Sequence, residues 1–119
     1  MIKKRIFIAD DDLDILYAMS VMLEDAGYDV ASSLDGRYVV EGEYEYPDLY
    51  LLDKRIPDLD GLEICRRLRA KDGTKDIPII IISASPKVAE QALKAGATDF
   101  LEKPFQMNTL LALIDRYTK

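Results

Sequence analysis

The chain has 119 residues, 49% hydrophobic and 32% charged, with a formal net charge of −6. That length suits one domain, 1–119, around a single core, and the acidic balance argues against a direct nucleic-acid or membrane-surface role. Histidine is absent and cysteine occurs once, at Cys65, which excludes imidazole catalysis, internal disulfides and His- or Cys-built zinc sites.

The lone thiol fits a reducing compartment, and no apolar run approaches the ~18 residues of a membrane span, so the chain reads as cytoplasmic. Short apolar runs alternate with helical periodicities. Arg5–Ala9 predicts a first strand. Asp12–Ala26 predicts a helix, with Ile15, Met19, Met22, Leu23 and Ala26 recurring at three- and four-residue spacing and Gly27 as its stop. Tyr28–Ser33 predicts a second strand, and Arg37–Glu45 a poor helix interrupted by Gly42. "LYLLD" (Leu49–Asp53) lacks alternation, as expected of a strand buried on both faces. Pro57 and Gly61 bracket a loop. Leu62–Lys71 predicts a helix with Leu62, Cys65 and Leu68 inward, ended by Asp72 and Gly73. Ile77–Ser83 ("IPIIIIS") is the fourth and most apolar strand. Lys87–Ala95 predicts a helix stopped by Gly96, Asp99–Glu102 a short fifth strand, and Asn108–Tyr117 the last helix.

Five strands alternating with five helices predict a doubly wound α/β fold, a parallel sheet covered on both faces. Ligands of such sheets bind beyond the carboxyl ends of the strands. There the sequence collects Asp10, Asp11 and Asp12 after strand one, Asp53 after strand three, Ser83 after strand four and Lys103 after strand five. Crowded carboxylates need counter-charge. Lys103 supplies one, and a divalent metal the rest. An all-oxygen site favours Mg²⁺, Mn²⁺ or Ca²⁺ over zinc. The turn after strand one is acidic rather than glycine-rich, which argues against a dinucleotide or P-loop site. Asp53 can accept a phosphoryl group as an acyl phosphate, with Ser83 and backbone N–H groups holding its oxygens. Taken singly, these residues have plainer readings. Asp11 or Asp12 caps a helix, Ser83 caps a turn, Lys103 is a surface lysine, and Phe100 and Cys65 are packing. Their convergence favours Asp10 and Asp11 as metal ligands and leaves Asp12 as the cap.

The stretches "IFIADDD", "PDLYLLDKRIPDLDG", "IPIIIISA" and "GATDFLEKPF" resemble, in order and spacing, the signature blocks of response-regulator receiver domains. These are the phospho-accepting halves of two-component signalling systems, and the resemblance runs from about Arg5 to Tyr117. It implies a flavodoxin-like sheet of order 2-1-3-4-5, with Asp53 as phosphoacceptor. Asp10, Asp11, Asp53 and the Arg55 backbone carbonyl would hold Mg²⁺, with Mn²⁺ as a substitute. It further implies Lys103 and Ser83 on the phosphoryl group, Ser83 and Phe100 as switch residues, and Arg55 and Ser85 as residues tuning its lifetime. Lys103–Pro104 would be a cis peptide. The implied partner is a sensor histidine kinase or phosphotransfer protein, and the responding face is the fourth helix, fifth strand and fifth helix, where a homodimer can form. No nucleic acid or membrane is implied as a direct partner.

Several features depart from the family pattern. Lys54 and Arg55 place two cations after the acceptor, and a short stretch between Ser83 and Lys103 predicts a late fourth helix. Tyr50 lies in a buried strand and its hydroxyl needs a partner, whereas Tyr38, Tyr44 and Tyr46 read as stiffening a poor helix. Two rival functions remain. One is a haloacid-dehalogenase-like phosphohydrolase, opposed by Arg55 standing where an acid–base aspartate would be. The other is a phosphorylation-independent scaffold, opposed by the presence of the whole acceptor set.

Overall fold

In the computed structural model, which describes residues 2–119, the apolar runs become the strands of one sheet. The elements are β1 (Arg5–Ala9), α1 (Leu13–Asp25), β2 (Asp29–Ser33), α2 (Gly36–Glu41), β3 (Leu49–Asp53), α3 (Gly61–Arg69), β4 (Ile79–Ser83), α4 (Val88–Lys94), β5 (Asp99–Glu102) and α5 (Met107–Tyr117). All pairings are parallel and the order is β2-β1-β3-β4-β5. The expected doubly wound, flavodoxin-like architecture is the one observed.

Strand alternation divides the core into two layers. Ile6, Ile8, Leu49, Leu51, Ile80 and Ile82 pack with Leu16, Met19 and Leu23 of α1 and Leu110 and Ile114 of α5. Phe7, Ala9, Tyr50, Leu52, Ile79 and Ile81 face the other way, onto Val39 of α2, Ile64, Cys65 and Leu68 of α3, and Val88 and Ala92 of α4. Every residue of β3 and β4 is buried, which is why their sequences lack alternation.

Helix ends follow local chemistry. Asp12 caps α1, its carboxylate accepting from the amides of Asp14 (2.9 Å) and Ile15 (3.2 Å), a contact worth ~1 kcal/mol. Gly27 and Gly96, both at φ +102, turn the chain away after α1 and α4. Three expectations need correction. The buried stripe of α1 is Leu16, Met19 and Leu23, with Ile15 half-buried beside it and Met22 exposed. Helix α2 ends at Glu41, with Gly42 in extended conformation, so Tyr44 and Tyr46 follow the helix instead of stiffening it. Strand β4 begins at Ile79, because Pro78 has no N–H for the ladder and contributes only its carbonyl, to the Tyr50 amide at 2.9 Å. Phe7, Tyr38, Tyr44 and Tyr50 form an aromatic cluster under α2. Tyr50 finds its partner in the Tyr44 hydroxyl, 2.8 Å away, which also meets the Val39 carbonyl.

At the edge opposite the carboxyl ends, Arg69 ties three segments together. Its guanidinium donates to the carbonyls of Gly96 (2.8 Å), Ile77 (2.6 Å) and Lys75 (3.0 Å) and to Thr98 Oγ1 (3.3 Å). Arg69→Ala should lower the unfolding free energy by ~2 kcal/mol in urea titrations. Arg69→Lys should recover less than half of that, because an ammonium lacks the planar fork.

Candidate functional site

Register brings the strand-end residues together. Asp10 follows β1, its amide continuing the ladder to the Ser33 carbonyl (3.2 Å). Asp53 closes β3 and pairs with Ile82 of β4, so Ser83 stands one residue beyond it. Carboxylate oxygens of Asp10, Asp11 and Asp53 all lie within 4.8 Å of one another. Asp10 and Asp53 are buried and Asp11 is exposed. Lys103 directly follows the end of β5 and is joined to Pro104 by a cis peptide. Its ammonium is 3.4 Å from Asp53 Oδ2 and 3.8 Å from Asp10 Oδ2, one cation between two buried anions.

Burial dominates the electrostatics of Asp10. It lifts the Asp10 pKa to about 6, and the negative charge of Asp53 pushes the same way. The Asp12 amide, donating to Asp10 Oδ1 at 3.0 Å, and the Lys103 ammonium oppose this without cancelling it. A single lysine therefore leaves the pocket short of positive charge. The donor set is oxygen only, with two buried carboxylates and one at the rim, which fits a hard divalent cation of the Mg²⁺ type.

The loop after Asp53 bends around this pocket. The Gly61 amide closes it on the Lys54 carbonyl (3.0 Å), and the Lys54 amide is fixed to Ile82 of β4 (2.9 Å). Lys54 pairs with Asp60 at 3.7 Å, and Asp60 caps α3 through the Glu63 amide (3.0 Å). The Arg55 amide reaches Asp53 Oδ1 at 3.4 Å while its side chain is exposed. Gly61 passes so near the acceptor strand that a Cβ there would stand 2.5 Å from the Asp53 carbonyl oxygen.

Ser83 is buried, and its hydroxyl accepts from the Ser85 amide at 3.1 Å. Phe100 is not in the acidic cluster. It lies in β5 opposite Ile81 and packs on the core layer that contains Val88, Ala92 and Ala95. Helix α4 begins at Val88, one residue after the expected Lys87, and no side chain caps it. Asp12, the third acid of the run, serves as the helix cap. Residue order assigns no part to Asp58 or Asp60 and makes Gly61 only a loop boundary, although the acids and glycine of "PDLDG" lie directly after β3.

A 2-1-3-4-5 parallel sheet with three carboxylates and a lysine at its carboxyl edge is the arrangement of a phospho-accepting receiver domain. The profile of the response regulator receiver domain matches residues 6–115, and the chain belongs to that family, the receiver domains of two-component response regulators. It is 39% identical over 116 residues to the DNA-binding dual master transcriptional regulator RpaA of Synechocystis sp., covering 92% of this chain and 47% of that protein. The chain thus spans about half the length of the curated relatives it matches. Among solved structures, the receiver domain of sensor histidine kinase PA1611 from Pseudomonas aeruginosa PAO1, with a magnesium ion coordinated in its active site cleft, superposes with a TM-score of 0.90 at 31% identity, covering 98% of each chain. Chemotaxis protein CheY4 of Vibrio cholerae gives 0.88 at 29% identity, over 98% of this chain and 99% of that one.

Because the folded pKa of Asp10 lies above the ordinary 3.8, its protonation favours the folded state in the absence of metal. That contribution is full below 3.8 and is lost as the pH rises through about 6. Mg²⁺ needs the ionised form, so its affinity should fall as the pH drops through about 6. Calorimetric titration between about pH 5 and 8 checks this, and a flat profile would contradict it. Gly61→Ala should cost ~2 kcal/mol or more in urea unfolding, since the atom it meets is backbone and cannot rotate away.

Proposed function

We propose that this chain is a phosphorylation switch in which Asp53 takes a phosphoryl group from a phosphohistidine of a sensor histidine kinase or phosphotransfer protein. The observation that carries the reading is Lys103, whose ammonium lies within 4 Å of both Asp53 and Asp10 at the ends of different strands. A carboxylate oxygen of Asp53 bonds to phosphorus as the phosphorus–nitrogen bond of the donor breaks. The departing imidazole keeps that electron pair and takes up a proton. Bound Mg²⁺, or Mn²⁺ in its stead, supplies positive charge against the transferring oxygens; Asp10, Asp11, Asp53 and the Arg55 carbonyl would hold it. The magnesium ion in the Pseudomonas receiver domain supports that choice.

Lys103 donates to a phosphoryl oxygen, exchanging its long contacts with carboxylates for a shorter charge-assisted one. The Ser83 hydroxyl, which only accepts from the Ser85 amide, has its proton free for a second phosphoryl oxygen. Moving Ser83 toward Asp53 opens room for Phe100, which shares a core layer with α4. Helix α4 is short and uncapped, an element whose shift is cheap. The face of α4, β5 and α5 thereby changes, and it is offered either to an output partner or to a second copy as a homodimer. The side chains of Arg55 and Ser85 flank the acceptor and the hydroxyl and set how long the phosphoryl group survives attack by water.

The domain, residues 1–119, turns over no substrate in this scheme; its only chemistry is self-phosphorylation from small donors and loss of its own phosphoryl group. Its place is the cytoplasm, in keeping with the absence, among the described residues, of a helix long and apolar enough to cross a membrane. The net charge of −6 disfavours direct contact with nucleic acid. A hydrolase of the haloacid-dehalogenase type would need an acid–base group where Arg55 stands.

Incubated with Mg²⁺ and a small acyl phosphate, the protein should gain one phosphoryl group by intact mass and Asp53→Ala none. No gain, together with failure to bind beryllofluoride, would overturn the reading. Arg55→Ala and Ser85→Ala should each change the dephosphorylation half-life several-fold without abolishing labelling.

A further inference from the structure

The loop between Asp53 and Gly61 is anchored at its base by the Gly61–Lys54 backbone bond, but its tip is held by a different element. Asp58, in the middle of the loop, places both carboxylate oxygens on consecutive amides at the start of α2. Oδ1 accepts from Gly36 at 2.8 Å and Oδ2 from Arg37 at 3.0 Å. The fit is close enough that Gly36 has no room for a side chain, since a Cβ would collide with the Leu59 carbonyl oxygen and with the Ile64 side chain. These bonds span more than twenty residues of sequence. The Gly36 amide, then that of Arg37, holds the Asp58 carboxyl below the usual carboxylate range. Helix α2 does not need Asp58 as its own cap, because Asp35 already accepts from the Tyr38 amide at 2.8 Å. A second carboxylate spent on the same helix end has its consequence on the loop side.

We propose that Asp58 is a positioning residue for the acidic pocket: by clamping the loop tip to α2 it fixes the backbone of Lys54–Pro57, and with it the Arg55 carbonyl and the Arg55 amide that reaches Asp53. The proposal rests on the reading of that pocket as the Mg²⁺-dependent phosphoacceptor site. A loop pinned at both base and tip presents the carbonyl without having to be ordered by the metal, so affinity is gained through preorganisation. Released at the tip, the loop keeps its base and the protein keeps its fold, while the carbonyl samples other directions.

The test compares Asp58→Ala with Asp35→Ala, which removes a cap from the same helix without touching the loop. Mg²⁺ affinity, measured by calorimetry, should fall roughly tenfold in Asp58→Ala, as for groups that stand behind a metal ligand, and stay within about twofold of wild type in Asp35→Ala. Labelling by the small acyl phosphate at limiting Mg²⁺ should slow in parallel and recover at saturating Mg²⁺. Exchange of the Gly36 and Arg37 amides should accelerate in Asp58→Ala. Wild-type affinity in Asp58→Ala, or an equal loss in Asp35→Ala, would overturn the proposal and leave the phosphoacceptor reading intact. Absence of Mg²⁺ binding in the unmodified protein would overturn both. Should Asp58→Ala not fold, Asp58→Asn keeps one of the two acceptor oxygens; a roughly threefold weaker affinity supports the clamp and wild-type affinity refutes it.

Discussion

Three carboxylates sharing one small pocket repel each other, and much of this molecule can be understood as the means of holding them there. Asp10 and Asp53 are buried at the ends of neighbouring parallel strands, so neither can move away without breaking the sheet. One lysine stands between them, and its contacts are long. Burial, with the Asp53 charge pushing the same way, keeps the Asp10 pKa raised despite the Asp12 amide and the lysine. A pocket of this kind carries a demand for positive charge that suits a divalent ion.

The demand is affordable because the rest of the sheet is so apolar. β3 and β4 are buried along their whole length, and each fully buried aliphatic side chain contributes ~1.5–3 kcal/mol. Two separate core layers hold the strand ends at fixed spacing, one on the side of α1 and α5, the other against α2, α3 and α4. The acidic pocket lies at the carboxyl ends of these strands. Phe100 belongs to the layer that contacts α4.

The loops carry a different kind of order. The segment after Asp53 has no regular structure, yet nearly every turn of it is tied down: to β4 through Lys54, to α3 through Asp60, to itself through Gly61 and to α2 through Asp58. At the far end of the sheet Arg69 does a similar service for the segments entering β4 and β5. Rigid surroundings at the acceptor contrast with α4, which is short and lacks a capping side chain. The proposed switch would use that asymmetry.

Much of this was legible in residue order. The strands β1, β3 and β5 fall within the expected bounds because unbroken apolar runs between turn residues leave little choice, and the run of three aspartates already divided into two pocket acids and one cap. Helical faces and ends were harder to read. Ile15 and Leu16 are both apolar neighbours on α1, and only the position of the sheet decided that Leu16 is fully buried and Ile15 half-buried. The aromatic cluster likewise depended on β3 placing Tyr50 where Tyr44 could reach it. Composition and spacing by themselves determined the fold class, the gathering of carboxylates at the strand ends and the kind of metal the donors suit, since these follow from hydrophobic periodicity and ligand chemistry. The tertiary structure alone decided that Asp58 bonds to α2, that Gly61 must be bare and that burial raises the Asp10 pKa. Those depend on through-space approach between residues distant in the chain, which no local pattern encodes.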